Sequence, residues 1–296
     1  MEKAKDSKPM ASHEVGYNVR NERRELLSTL PIEKNFDSII SSQRHFQAQE
    51  SDIILITYPK FGTTWLKALT YAIIHRSRCA FEHSPLLTTI NPHLLVPFLE
   101  ITFYLEKDSL PSFEHLDTPR ILGTHIPYAS LPRSIIDSNC RIVYMCRNPL
   151  DNSSLNGISC QELLMTEKWS RFPLEEAFER EHVLGYLKAS SDNFDKILLL
   201  KYEDVNEDTF FYVKKLAEFL RCPFSNLEEN QGVIEEIMKL CSFDMKDLKV
   251  NKTSIVISNH GPKNNWPNYS PLSMSEHLKD LMEVKLSGTG LAFRIF

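Results

Sequence analysis

Apolar residues along this chain fall into two kinds of pattern. Four short runs, at 53–57 (IILIT), 120–124 (RILGT), 142–145 (IVYM) and 197–200 (ILLL), are nearly unbroken and end in turn or polar residues. Runs of that length read as strands buried on both faces, as in a parallel sheet. Between and after them the apolar residues recur at helical spacing. Val213, Leu216, Ala217 and Leu220 fall at i, i+3, i+4 and i+7, which leaves Lys214, Lys215, Glu218 and Arg221 facing water. Pro173 suits the first turn of a helix running to about Ser190, uninterrupted through residue 182. Ser273 and Glu276 form a capping box ahead of Leu278, Leu281 and Met282. Strands alternating with helices predict an α/β fold with a central parallel β-sheet flanked by helices. Residues 1–20 carry no apolar period and read as a flexible leader, and with no repeat or Gly/Ser linker after them, residues 21–296 read as one domain.

Composition changes this picture little. The 296 residues are 42% hydrophobic and 25% charged, which excludes collagen-like, low-complexity and wholly disordered chains. A net charge of −5 gives no general attraction to nucleic acid or anionic lipid, so an anionic ligand must be met by a local set of donors. The polar start and the absence of a run near ~18 apolar residues predict a cytoplasmic chain without a membrane segment. Cys79, Cys140, Cys146, Cys160, Cys222 and Cys241 are scattered without CxxC spacing and read as reduced thiols, most of them buried. The glycosylation-type triplets at Asn152, Asn251 and Asn268 matter only in a secreted chain and read as chance.

Candidate chemistry lies where each strand run ends, since ligands of open parallel sheets bind outside the carboxyl ends of the strands. The first run passes through Lys60, Phe61, Gly62, Thr63, Thr64 and Trp65 into a helix from Leu66 to about His75. Loop and helix-start N–H groups, the helix dipole, a glycine and three side-chain donors make an anion cradle there, against the plainer reading of an ordinary strand-to-helix turn. It is not a Walker A loop, because the lysine precedes the glycine. The second run ends at His125, the third at Arg147 and the fourth at Tyr202, bringing together a base, a cation that can grip a phosphate and an aromatic donor.

Six segments, 58–66 (YPKFGTTWL), 124–132 (THIPYASLP), 146–149 (CRNP), 182–190 (HVLGYLKAS), 201–204 (KYED) and 285–293 (KLSGTGLAF), together resemble the cytosolic sulfotransferases in their plant form. The resemblance spans roughly residues 40–296 and implies the P-loop-like nucleotide-binding sulfotransferase fold. It implies 3′-phosphoadenosine 5′-phosphosulfate (PAPS) as donor, PAP as product, no metal and a small hydroxylated acceptor. By position, Lys60 would neutralise the bridging oxygen of the leaving phosphate, and the backbone of 61–65 with Thr63 and Thr64 would hold the 5′-phosphate. Trp65 would stack on adenine, Tyr202 would bond it, and Cys241 and Phe243 would line its site. His125 would be the general base and Arg147 would bind the 3′-phosphate. A homodimer, common in the family, is left open because the residues before Trp266 depart from the pattern.

Four departures stand out. Phe61 replaces a serine and is expected at the mouth of the cradle. Leu155 occupies the position of a 3′-phosphate serine, with Ser153 and Ser154 just before it, so that Ser154 would serve only after a one-residue slip. Asn259, His260 and Gly261 stand where the family has Arg-Lys-Gly, a loss of about 1.5–3 kcal/mol per charged contact. A Gly- and aromatic-rich stretch between Phe178 and His182 is missing, which removes one wall of the acceptor pocket. Two function classes follow: a PAPS-dependent sulfotransferase of phenolics, flavonoids or steroids, and a degenerate relative that binds nucleotide weakly and transfers little. A P-loop kinase is disfavoured, lacking both the Walker Lys-Ser/Thr and a clear acidic metal ligand.

Overall fold

All four apolar runs form strands, β1 (Ile53–Thr57), β2 (Ile121–Thr124), β3 (Arg141–Cys146) and β4 (Ile197–Lys201), in a computed structural model. It describes residues 32–59, 61–78, 84, 86, 91–105, 111–148, 182–242, 280, 283–284 and 286–293. The strands pair in parallel in the order β2-β1-β3-β4, with Ile54 opposite both Leu122 and Ile142 and with Tyr144 opposite Leu199. The described α-helices are α1 (Ile32–His45), α2 (Thr63–His75), α3 (Pro92–Leu95), α4 (Arg133–Asp137), α5 (Val183–Asp192), α6 (Tyr202–Glu207), α7 (Thr209–Phe219), α8 (Asn226–Asn230) and α9 (Val233–Leu240). Among the described residues none is long and apolar enough to cross a membrane.

The two-residue period of a strand sends alternate side chains to opposite faces, and here both faces are covered. Ile54, Ile56, Ile142, Tyr144 and Cys146 pack with Val183 and Tyr186 of α5. Ile53, Leu55, Val143 and Met145 pack with Leu66, Leu69 and Ile73 of α2, Leu216 of α7, and Ile234 and Ile237 of α9. Each fully buried aliphatic side chain contributes about 1.5–3 kcal/mol over leaving it in water.

Two expectations change. Among the described residues β4 is an edge strand with a neighbour on one side alone, and its Leu198 and Leu199 are only half-buried. The other edge is covered: the Gly123 N–H donates to the Pro97 carbonyl at 2.8 Å and Phe98 bridges to Gly123. The helix expected from Pro173 is not continuous through residue 182, since α5 begins at Val183 with His182 as a bend before it. The His182 ring is buried and bonded to the sheet side, which fixes the chain there. Residues 173–181 and the capping box at Ser273 lie outside the described residues. Cys140, Cys146 and Cys241 are buried free thiols and Cys222 is half-buried; Cys79 and Cys160 lie outside.

At the amino end of the sheet, Arg120 donates to both carboxylate oxygens of the fully buried Asp52, from Nε at 2.7 Å and from a terminal nitrogen at 2.5 Å. The adjoining backbone completes the clamp, with the Ile53 N–H on the Arg120 carbonyl and the Arg141 N–H on the Asp52 carbonyl, both at 2.9 Å. This pins the register of β1, β2 and β3 at the end opposite the strand-end residues.

Candidate functional site

The turn from β1 to α2 depends on Gly62, which caps the helix at φ 95°. A side chain there would be strained, and its Cβ would stand 2.8 Å from the Tyr202 ring and 3.0 Å from Met145 Sδ. The first turn of a helix leaves N–H groups without intrahelical partners, and those of 63–65 sit at the carboxyl end of β1, the placement an anion requires. Gly62→Ala is expected to lower stability by about 1–2 kcal/mol, the cost of forcing a left-handed residue. Urea unfolding measures it, and an unchanged midpoint would mean that the turn re-forms without a glycine.

Phe61, expected at the mouth of the cradle, is almost fully buried. Its ring is 4% exposed and packs edge-on against Tyr58 at 5.2 Å, because an apolar ring gains more by turning into the core than by facing a polar loop. The Thr63 hydroxyl bonds Thr57 Oγ1 at 2.5 Å, and the Thr64 hydroxyl lies 3.1 Å from His93 Nε2. Lys60 lies outside the described residues, as do Ser154, Phe243, Asn259, His260 and Gly261, and with them the departures at Leu155 and before Trp266 and the shortened segment around 160–181.

The strand-end aromatics and the arginine come together. Trp65 meets Tyr202 edge-on at 5.3 Å, and Cys241 belongs to the same apolar cluster, where burial pushes its thiol up to about 12. The Arg147 guanidinium lies over the Tyr202 ring, 4.4 Å from its centroid, at the end of β3. Glu203, next to Tyr202, accepts the Asn148 N–H at 2.7 Å and so joins the end of β3 to the start of α6. An aromatic pair beside a cation suits a purine with a phosphate attached.

His125 is held at three points. Its Nδ1 donates to the Thr57 carbonyl at 2.7 Å, its N–H donates to Glu100 Oε1 at 3.0 Å, and its carbonyl accepts from His182 Nε2 at 3.1 Å. A carbonyl only accepts, so the proton of the neutral ring is on Nδ1 and the basic lone pair is on Nε2. His182 obeys the same logic: Nε2 carries its proton, and Nδ1 accepts from the Tyr144 hydroxyl at 3.2 Å. Burial pulls the His182 pKa down to about 4, which keeps this bracing ring neutral. Phe98 covers His125 at 4.8 Å between centroids.

Thr57, His93, Glu100 and His182 are absent from the strand-end reading, and so is Lys67. Two of them left a signal, since Lys67 interrupts the apolar face of α2 and Glu100 sits inside the apolar stretch 94–105. A charge inside such a run either faces water or has a buried task.

The sulfotransferase domain family matches residues 50–290. Cytosolic sulfotransferase 15 of Arabidopsis thaliana is 38% identical over 88% of this chain and 79% of its own length. A flavonol sulfotransferase-like protein of Flaveria bidentis is 41% identical over 87% of this chain and 89% of its own. A crystal structure of an Arabidopsis thaliana sulphotransferase superposes with a TM-score of 0.67 at 32% identity, covering 98% of this chain and all of that one. A mouse sulfotransferase complexed with PAP has the same fold at 22% identity, with a TM-score of 0.62 over 86% of this chain and 92% of that chain.

Proposed function

The chain belongs to the sulfotransferase family, in the branch of the plant cytosolic enzymes, and from that premise we propose that it moves the sulfuryl group of PAPS to a hydroxyl of a small phenolic, flavonoid or steroid metabolite. The observation that carries the reading is the tautomer of His125. Its Nδ1–H is committed to Thr57, which leaves Nε2 as the proton acceptor at the same sheet end as the Gly62 cradle.

In this reading the N–H groups of 62–65 and the hydroxyls of Thr63 and Thr64 bind the 5′-phosphate, while the Phe61 N–H is taken by the Tyr58 carbonyl at 3.0 Å. Trp65, Tyr202, Cys241 and Phe243 surround the adenine, and Arg147 binds the 3′-phosphate, with Ser154 serving it after a one-residue slip from the position Leu155 holds and 259–261 standing where the family has Arg-Lys-Gly. Lys60 meets the charge that builds on the bridging oxygen as the sulfur–oxygen bond to phosphate breaks. His125 takes the acceptor proton on Nε2 as the new sulfur–oxygen bond forms, so that PAP and a sulfate ester leave. No step needs a metal. The PAP bound to fold relatives supports the donor, the flavonol named for the Flaveria proteins supports a flat phenolic acceptor, and the names of the plant relatives support a cytoplasmic location.

Calorimetric titration with adenosine 3′,5′-bisphosphate, followed by PAPS turnover over a panel of flavonols, simple phenols and steroids, tests this. Saturable binding and a sulfated product are expected. A protein that neither binds the bisphosphate at millimolar concentration nor yields a product from any acceptor would end the proposal.

A further inference from the structure

Beneath the cradle and the base lies a set of buried polar groups that the transfer itself does not use. Lys67, one turn into α2, is fully buried, and Gly123 makes the room: a Cβ at 123 would stand 2.5 Å from Lys67 Cε and 2.7 Å from Nζ. Nζ lies 3.2 Å from the centroid of the Phe98 ring and 3.2 Å from His93 Nδ1. His93 Nε2 in turn lies 3.1 Å from Thr64 Oγ1, at the mouth of α2. On the other side, Glu100 is 3% exposed and accepts the backbone N–H of His125. Burial pulls Lys67 down and pushes Glu100 up, and each opposes the other's shift through its charge.

The donors and acceptors give this set a direction. With Lys67 as the ammonium that the charge of Glu100 favours, it only donates, so His93 Nδ1 accepts and the neutral ring carries its proton on Nε2. That proton goes to Thr64 Oγ1, which then presents its own hydrogen as a donor, the polarity an anion at the helix start requires.

We propose that Lys67 is a positioning residue that acts through His93 on the Thr64 hydroxyl and, with Glu100, on the backbone of His125, so that one buried cation sets both the anion cradle and the base. This rests on the reading of the cradle as a nucleotide phosphate site.

The test is a double-mutant cycle on bisphosphate affinity, supported by imidazole 15N–1H spectra. Lys67→Met and Thr64→Val are each expected to weaken binding about tenfold, the worth of one hydrogen bond to a charged group, and the double variant to be no weaker than either single one. Losses that multiply to about a hundredfold, or a Lys67→Met protein with unchanged affinity, would overturn the proposal. Lys67→Met/Glu100→Gln leaves no buried charge alone and replaces the single variant if that one fails to fold, and His93→Phe breaks the same chain at a half-buried position. The spectra read the chain without nucleotide: His93 protonated at Nε2 in the wild type and a mixture of tautomers in Lys67→Met support it, whereas Nδ1 protonation in the wild type refutes it. Absence of bisphosphate binding to the wild type would instead remove the functional reading beneath it.

Discussion

Replacing His125 with Ala should lower the rate of sulfuryl transfer roughly 10²–10⁴-fold, the usual worth of a positioned general base, while the affinity for adenosine 3′,5′-bisphosphate stays within about twofold. The asymmetry follows from geometry. The His125 ring bonds the Thr57 carbonyl and packs under Phe98, and its backbone is held by Glu100 and His182; the cradle at Gly62 and the Trp65–Tyr202–Arg147 group do not depend on it. Donor turnover at saturating acceptor reads the first effect and calorimetry the second. Full turnover would remove His125 as the base. A parallel collapse of affinity would show instead that its ring braces the cradle through the Thr57–Thr63 pair.

A second large effect lies at the other end of the sheet. Arg120→Leu should cost about 3–5 kcal/mol of unfolding free energy, because it leaves the carboxylate of Asp52 buried without its cation. The Gln49 N–H at 2.8 Å is the remaining donor to Asp52 and cannot replace two charged hydrogen bonds. The variant also loses a guanidinium that lies against both Phe46 and Phe113, at 5.6 and 5.3 Å. Arg120→Leu/Asp52→Asn removes the stranded charge and should recover much of the loss, whereas Arg133→Ala, in the exposed pair with Asp137, should change little. Urea unfolding decides it: a loss below about 1 kcal/mol for Arg120→Leu would mean that water or a rearranged chain reaches Asp52. Because the clamp and the candidate site occupy opposite ends of the strands, bisphosphate affinity of the folded fraction should be unchanged.

Much of the site was legible because it is local in the chain. The runs at 53–57, 120–124, 142–145 and 197–200 became β1 to β4 within a residue or two at each end. The residues that follow them, Gly62, His125, Arg147 and Tyr202, share one edge because parallel strands all present their carboxyl ends there. The helical stripe of Val213, Leu216 and Ala217 is buried as its spacing implied. For Phe61 the order of residues in a turn leaves open which way the ring points, and the fold buries it against Tyr58.

The sequence by itself determined the strands, the helix that opens after Gly62 and the identity of the base, cation and aromatic at the strand ends, since each depends on residues close together in the chain. Tertiary structure alone decided the sheet order, which puts β4 at an edge among the described residues, and the buried partners that turn candidates into an arrangement. Thr57 fixes the tautomer of His125 from 68 positions away, and His182 braces its carbonyl from 57. Lys67 reaches His93 only because Gly123, on a neighbouring strand, has no side chain. Such groups are invisible in a linear pattern because their chemistry depends on what burial places beside them: the same lysine on the outer face of α2 would be an ordinary solvated charge.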